Sequence, residues 1–299
     1  MYLERLGHDL GIIIASRKSK LAQIQTDLVM NMIYQKHKLN CDKLLMDTKG
    51  DRILDVSLDK IGGKGVFVKE IEMAILDGSA EAAVHSMKDV PYALPKGFEI
   101  VSMPMREDAR DVYVSMNGIS LKDLPKGARI GTSSQRRSAQ IMKLRPDAVM
   151  VPIRGNIQTR VEKIEKENLD GIILAAAGLK RCGMECIITQ YLDVDDFVPA
   201  IGQGALGIEA LKTNVNIDIF KSIEHPETRI CVDAERSFMR RLNGGCHSPI
   251  GAYARIQNED MYIMGVFEIN GKFIKKDILG SKYDYIRLGE LLGEKIIND

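Results

Sequence analysis

The sequence predicts an α/β protein with two domains of like design and a small α+β module at its C-terminal end. Three observations carry this. Short β-branched runs alternate with amphipathic helical stretches through roughly the first 200 residues, the pattern of α/β domains with largely parallel sheets. Ala15 to Ile24 (strand end, Ser, basic residues, then Ala-Gln-Ile) is echoed by Thr132 to Ile141, as two similar domains facing one cleft would require. Beyond Pro226 the pattern changes to a helix, three consecutive strands and a final helix. A length of 299 residues fits about two domains with sizeable cores.

Taken in order, Gly11 to Ala15 is a β-branched run that reads as a buried strand. A helix follows to about Lys36, N-capped by Ser19, with Leu21, Ile24, Leu28 and Met32 on one face. Cys41 to Met46 is the next strand. Thr48 to Gly65 is polar and glycine-rich, a long loop of the kind that is usually functional or disordered. Phe67 to Leu76 reads as a helix, and Glu81 to Val84 and Phe98 to Met103 as strands.

A second set begins near Asp111. Ala128 to Gly131, Ala148 to Ile153 and Asp170 to Ala176 read as strands. Between them lie a helix from Gln135 to Leu144, capped from Thr132-Ser133-Ser134, and one from Asn156 to about Glu167. Val198 to Gly204 reads as a crossing segment. In the tail, Pro226 to Leu242 is helical and ends against Gly244-Gly245, which suit left-handed backbone. Ile250 to Ile256, Met261 to Ile269 and Phe273 to Leu279 are strands, with an Asn270-Gly271 hairpin turn, and Tyr283 to Ile297 is the last helix.

Composition narrows the function. Hydrophobic residues make up 45% and charged ones 28%, and no apolar run approaches the ~20 residues of a membrane helix. Met1 to Leu10 carries Glu4, Arg5, His8 and Asp9 and has no apolar signal core. Five cysteines without framework spacing fit a reduced, cytoplasmic setting. A net charge of +1 and 5% aromatic residues argue against a nucleic-acid or membrane-surface binder. Between Arg129 and Arg160, however, seven basic residues stand against one acid, Asp147. That excess is expected to leave most of them without local acidic partners and points to a small polyanionic ligand.

The arginines sit where such a ligand would bind. Arg17, Arg136, Arg137, Arg154, Arg160 and Arg181 fall in the loops or first helical turns that follow strands, the binding edge of open α/β sheets. Arginine's planar fork suits carboxylates and phosphates. Gly62-Gly63-Lys64-Gly65 is followed by Val66, so it is not a nucleotide phosphate loop. Asp89, beside Lys88 and four residues after His85, could orient an N–H or stabilise a developing cation, or be a surface turn residue. Cys182 and Cys186 have no second ligand pair near them, so no metal site is expected. Cys246, between Arg240-Arg241 and His247 in a tight loop closed by Pro249, could be a nucleophile, a metal ligand, a tether or an inert thiol.

Several blocks then resemble the porphobilinogen deaminase (hydroxymethylbilane synthase) family in collinear order. They are Ile14 to Ala22, Gly62 to Glu70, Val84 to Pro91, Gly131 to Arg137, Arg154-Gly155-Asn156, Ala177 to Arg181, Pro199 to Ala205 and Gly244-Gly245-Cys246. The resemblance implies two periplasmic-binding-protein-like domains around a cleft plus the small C-terminal domain, divided as 1–105 with 200–224, 106–199, and 225–299. It implies a dipyrromethane cofactor on Cys246 through a thioether, and a transferase that adds four porphobilinogen units head to tail with loss of ammonia. Each unit bears an acetate and a propionate, which gives the arginines a purpose.

On this resemblance Lys88, Asp89, Thr132, Ser134, Arg136, Arg137, Asn156 and Arg160 surround the cofactor. Arg17, Ser19, Phe67, Arg154, Arg160, Arg181 and Gln203 receive the incoming unit, and Asp51 and Lys64 belong to a lid. Asp89 is the catalytic carboxylate, stabilising the cationic azafulvene left when ammonia departs. Gln135 stands where the family often has leucine, and Ala109 replaces a proline; neither change removes a charged role. A non-catalytic binding protein for a polycarboxylate would share the cleft but would not need Cys246. A cytoplasmic monomer acting on a small molecule, with no nucleic-acid or membrane partner, is expected.

Overall fold

The computed structural model of the chain describes residues 11–48, 68–243 and 249–299. Its first sheet comprises β1 (Ile12–Arg17), β2 (Cys41–Met46), β3 (Ala82–Ser86), β4 (Phe98–Ser102) and β10 (Leu206–Leu211), in the order β2-β1-β3-β10-β4. β2, β1 and β3 are parallel, whereas β10 runs antiparallel to both β3 and β4. The second sheet comprises β5 (Asp111–Val114), β6 (Arg129–Gly131), β7 (Val149–Val151), β8 (Gly171–Ala175) and β9 (Gln190–Tyr191), in the order β7-β6-β8-β5-β9. Here β7, β6 and β8 are parallel and β5 is antiparallel to β8 and β9. In each sheet the antiparallel strand is the first one made after the chain crosses from the other sheet. The repeat heard faintly in the sequence is therefore a repeat of topology.

Helices cover both faces of each sheet, so the parallel strands carry near-continuous apolar runs. α1 (Lys20–His37) and α2 (Lys69–Leu76) flank the first sheet, where Ile14, Val29, Ile33 and Ile71 have no exposure. α3 (Gln135–Leu144), α4 (Ile157–Lys166) and α5 (Ala176–Arg181) flank the second, around Val112, Ile130, Ile141 and Ile172. Each such side chain contributes about 1.5–3 kcal/mol on burial. Ser19, Ser134 and Asn156 cap α1, α3 and α4, accepting from the N–H groups of Ala22, Arg137 and Thr159.

The third domain is an antiparallel meander of β11 (Gly251–Gln257), β12 (Asp260–Ile269) and β13 (Lys272–Ser281), packed under α7 (Pro226–Arg241) and α8 (Tyr285–Ile297). Asn270 and Gly271 have φ of 52° and 77°, which fits the primed turn expected of this dipeptide. Asn258 (φ 58°) turns the other hairpin, which the sequence did not announce.

Other differences have plain causes. β5, β9, β10 and the short α6 (Ile217–Lys221) were not expected; they are brief, or interrupted by a buried charge such as Glu209. Tyr283 belongs to a 3₁₀ turn that precedes α8. Past α7 the first left-handed residue is Asn243 (φ 50°). Gly244, Gly245, Cys246 and His247 lie outside the described residues, as do Asp51, Lys64, Phe67 and all of the expected Thr48–Gly65 loop except Thr48, its buried first residue.

One buried carboxylate locks the domains together. Glu235 of α7 accepts from Arg106 Nη1 and Nη2 at 2.6 and 3.2 Å, from Gly202 N at 2.7 Å and from Ala254 N at 3.0 Å. Arg106 lies on the first crossing, Gly202 on the second and Ala254 in β11, so all three domains meet at this side chain.

Candidate active site

The site begins where β3 ends in a 3₁₀ turn, Met87–Asp89. Met87 N donates to Ala205 O at 3.0 Å, and Glu107 N donates to Gly204 O at 3.2 Å, so both crossings pass against this turn. That closeness needs glycine. Gly202 (φ +67°) and Gly204 (φ +87°) are left-handed, and added Cβ atoms would lie 2.8 Å from Met87 Cβ and 2.3 Å from Glu107 O.

Asp89 is exposed, and Lys88 is half-buried. Burial pulls the Lys88 ammonium down to about 8; Asp89 opposes this, Arg137 adds to it, and Asp111 and Arg136 act more weakly in opposite senses. Lys88 and Asp89 come from the first sheet, and the arginines from the second. Arg160, on α4, is pulled down to about 10, first by burial and then by Arg137 and Arg154, with Asp89 as its opposing charge. Its Nε donates to Gly155 O at 2.8 Å. Lys88, Asp89, Arg136, Arg137, Arg154 and Arg160 are thus within one another's fields across the two domains.

The remaining expected residues sit around this cluster. Thr132 Oγ1 accepts from Ser134 N at 3.2 Å, and Asn156 Oδ1 accepts from Thr159 N at 2.9 Å, leaving the Asn156 amide N–H groups and the Ser134 hydroxyl as donors. Arg181 Nη2 donates to Gly204 O at 2.7 Å, and burial lowers its pKa. Gln203, 1% exposed, donates to Ala109 O at 2.7 Å and Asp111 Oδ1 at 3.1 Å, while its buried Oε1 has no hydrogen-bond partner among the described residues. Arg17 closes β1, and Ser19 caps α1. Two residues on from Ser19, Leu21 approaches the second domain at Gly178, where an added Cβ would lie 3.0 Å from Ile157 Cδ1 and 3.8 Å from Leu21 Cδ2. The N-terminal ends of α1 and α4 therefore converge on one glycine. Phe67, Asp51, Lys64 and Cys246 are outside the described residues.

Three of the seven cations of the 129–160 stretch find acidic partners, two of them in an acid that lies outside the stretch. Asp111, outside that stretch, takes Arg136 at 2.7 Å and Arg137 at 2.7 Å, and Asp147 takes Arg145 at 2.7 Å. Charge counting along the chain missed Asp111 because its partners are 25 and 26 residues away. Lys88 and Arg160, whose pKa values are lowered first by burial, both feel the opposing charge of Asp89. A separate cavity of 420 Å³, lined by Glu99, Lys221, Glu224 and Arg229, shares no residue with this cluster. Arg229 is already bound to Glu224 at 2.6 Å and Ile100 O at 2.9 Å. Among the described residues no group of His, Cys, Asp and Glu is placed to hold a metal, and no helix is long and apolar enough to cross a membrane.

The family model "Porphobilinogen deaminase, dipyromethane cofactor binding domain" matches residues 12–218, and "Porphobilinogen deaminase, C-terminal domain" matches 229–298. The chain belongs to the porphobilinogen deaminase family. A porphobilinogen deaminase of Clostridium botulinum (strain Langeland) is 59% identical over 97% of this chain and 100% of its own length. That of Clostridium perfringens (strain SM101) is 60% identical over 96% and 99%. Among solved structures, the methionine binding protein MetQ is 11% identical over 72% of this chain and 90% of its own, with a TM-score of 0.47.

The porphobilinogen deaminase model is named for a dipyrromethane cofactor, and the described residues suit one. Two pyrroles, each with an acetate and a propionate, need several cations and hydroxyl or amide donors. Burial first, and then neighbouring cations such as Arg137, hold the pKa values of Lys88 and Arg160 down, and carboxylates placed beside them would favour their charged forms.

Proposed function

We propose that this chain is a transferase with porphobilinogen deaminase (hydroxymethylbilane synthase) activity, joining four porphobilinogen units head to tail with release of ammonia in tetrapyrrole and haem biosynthesis. The observation that carries it is the Lys88, Asp89 and Arg160 cluster, one exposed carboxylate among desolvated cations, in a chain about 60% identical to deaminases over nearly its whole length. A non-catalytic polycarboxylate-binding protein is disfavoured by that identity.

When bound through Cys246, the dipyrromethane supplies the pyrrole carbon on which the product is built. Lys88, Arg136, Arg137 and Arg160 neutralise its carboxylates, and Thr132, Ser134 and Asn156 donate hydrogen bonds to them. Arg17, Ser19, Arg154, Arg160 and Arg181 take the acetate and propionate of the incoming unit, and Gln203 offers Oε1 to an N–H. Phe67 stacks on the incoming ring, and Asp51 and Lys64 close the site as part of a lid. Asp89 accepts pyrrole N–H bonds and faces the positive charge that develops as ammonia leaves. A fixed anion in a partly desolvated cleft stabilises that charge far better than water does.

The division into 1–105 with 200–224, 106–199 and 225–299 is supported by β10 joining the first sheet. We place the enzyme in the cytoplasm as a monomer. Intact mass tests the function: the purified chain is expected to carry an excess of two pyrrole units, and Cys246→Ser none. A fully active chain of unmodified mass would reject it.

A further inference from the structure

Asp111 opens β5, where the chain first enters the second domain, and it has no exposure. A carboxylate in that position must be compensated by hydrogen bonds and opposite charge. Arg136 Nη1 donates to Oδ2 at 2.7 Å, and Arg137 Nε and Nη2 donate to Oδ1 at 3.0 and 2.7 Å. Gln203 Nε2 adds a bond to Oδ1 at 3.1 Å. Burial alone would raise the carboxyl's pKa, but the two guanidinium groups hold it at about 2. The arginines are also pinned to backbone, Arg136 Nη1 to Val198 O at 2.6 Å and Arg137 Nη1 to Ile173 O at 2.9 Å. One side chain therefore ties the start of β5, the first turn of α3 and the second crossing into a single unit. Its charge also reaches Lys88 of the first domain, where it opposes the two arginines.

We propose that Asp111 is a positioning residue for the reaction: it holds Arg136 and Arg137 against each other's repulsion and fixes them to the second crossing, so that the cations which receive a polycarboxylate stand in place beforehand. This rests on the deaminase function proposed above. Adjacent guanidinium groups at consecutive positions would otherwise separate toward solvent, and a neutral amide cannot hold both. An asparagine at 111 has one acceptor oxygen, and its N–H groups would face guanidinium N–H groups.

The sign of the electrostatic consequence is fixed. Lys88 faces Asp89 on its own turn, Arg136 and Arg137 on α3, and Asp111 on β5. Removing the Asp111 charge leaves the two arginines less opposed, so the Lys88 pKa falls further and its ammonium is lost at lower pH. A merely structural role for Asp111 would lower stability and cofactor loading but would not move that titration.

The test compares full-length wild type, Asp111→Asn and Asp111→Glu by circular dichroism, intact mass, and porphobilinogen consumption from about pH 6 to 10, a range that spans the Lys88 titration. Asp111→Asn is expected to fold and to carry the two-pyrrole mass in a roughly tenfold smaller fraction. The alkaline limb of turnover in its loaded fraction is expected to move to lower pH. Asp111→Glu, which keeps the charge but lengthens the arm, is expected to lose loading with the limb unmoved. An unmoved limb in Asp111→Asn overturns the proposal whatever the loading. So does failure of both variants to fold, because a positioning residue must be separable from the fold. Wild type without the added mass would instead reject the deaminase function itself, which keeps the two failures distinct.

Discussion

Asp89 and Lys88 are neighbours on one 3₁₀ turn, yet their settings differ: the carboxylate is exposed to the cleft, and the ammonium is half-buried and desolvated toward a pKa of about 8. In the proposed mechanism the catalytic burden falls on the carboxylate, because only an anion answers the positive charge that would appear as ammonia leaves. Asp89→Ala is expected to keep its melting behaviour, since an exposed side chain with little packing changes stability by about 0.5 kcal/mol or less. Turnover is expected to fall roughly 10²- to 10³-fold, the usual effect of deleting one preorganised electrostatic partner. Near-normal ammonia release from porphobilinogen by a folded Asp89→Ala protein would remove Asp89 from the mechanism. The thiols divide as clearly. Burial pushes Cys231 up to about 12 and Cys41 to about 11, so neither is a nucleophile at neutral pH.

Between elements, close approach decides which glycines matter. Gly271 turns the β12–β13 hairpin at φ +77° with open space around it, so Gly271→Ala meets only the left-handed penalty of about 1–2 kcal/mol. Gly204 has φ +87° and backbone oxygen 2.3 Å from where a Cβ would stand, so the crossings themselves must part. Gly204→Ala is expected to cost at least about 3 kcal/mol in chemical denaturation, the backbone strain plus overpacking. It should also lower turnover, because Arg181 binds the Gly204 carbonyl. Equal costs for the two variants would contradict the close-packed crossing.

The caps of α1 and α3 and the Asn-Gly turn were legible in the sequence because their chemistry is local: Ser19 and Ser134 each satisfy an N–H three residues on. β10 was not legible, because the buried Glu209 interrupts its apolar run, and the His85 ring 2.9 Å away comes from a strand distant in the sequence. For the same reason Arg136 and Arg137 could be named from sequence, while the acid that holds them, Asp111, could not.

In the whole molecule the cleft has two tiers of control. Asp111 fixes cations within the second domain, and Glu235 fixes the three domains to one another. Arg106 stacks on the Tyr253 ring at 5.2 Å as well as pairing with Glu235, so the first crossing is anchored to the third domain on two sides. The cysteine expected to hold the cofactor lies beyond the end of α7, the helix that carries Glu235. Glu235→Ala leaves the Arg106 charge in the interior and the Gly202 and Ala254 N–H groups without their acceptor, at a cost of about 3–5 kcal/mol for breaking a buried pair. Because the loss falls on contacts between domains rather than within a core, calorimetry should show the melting transition broadening or splitting, with the third domain separating first. A single, equally sharp transition at nearly the wild-type temperature would show that the domains are held together by something other than this carboxylate.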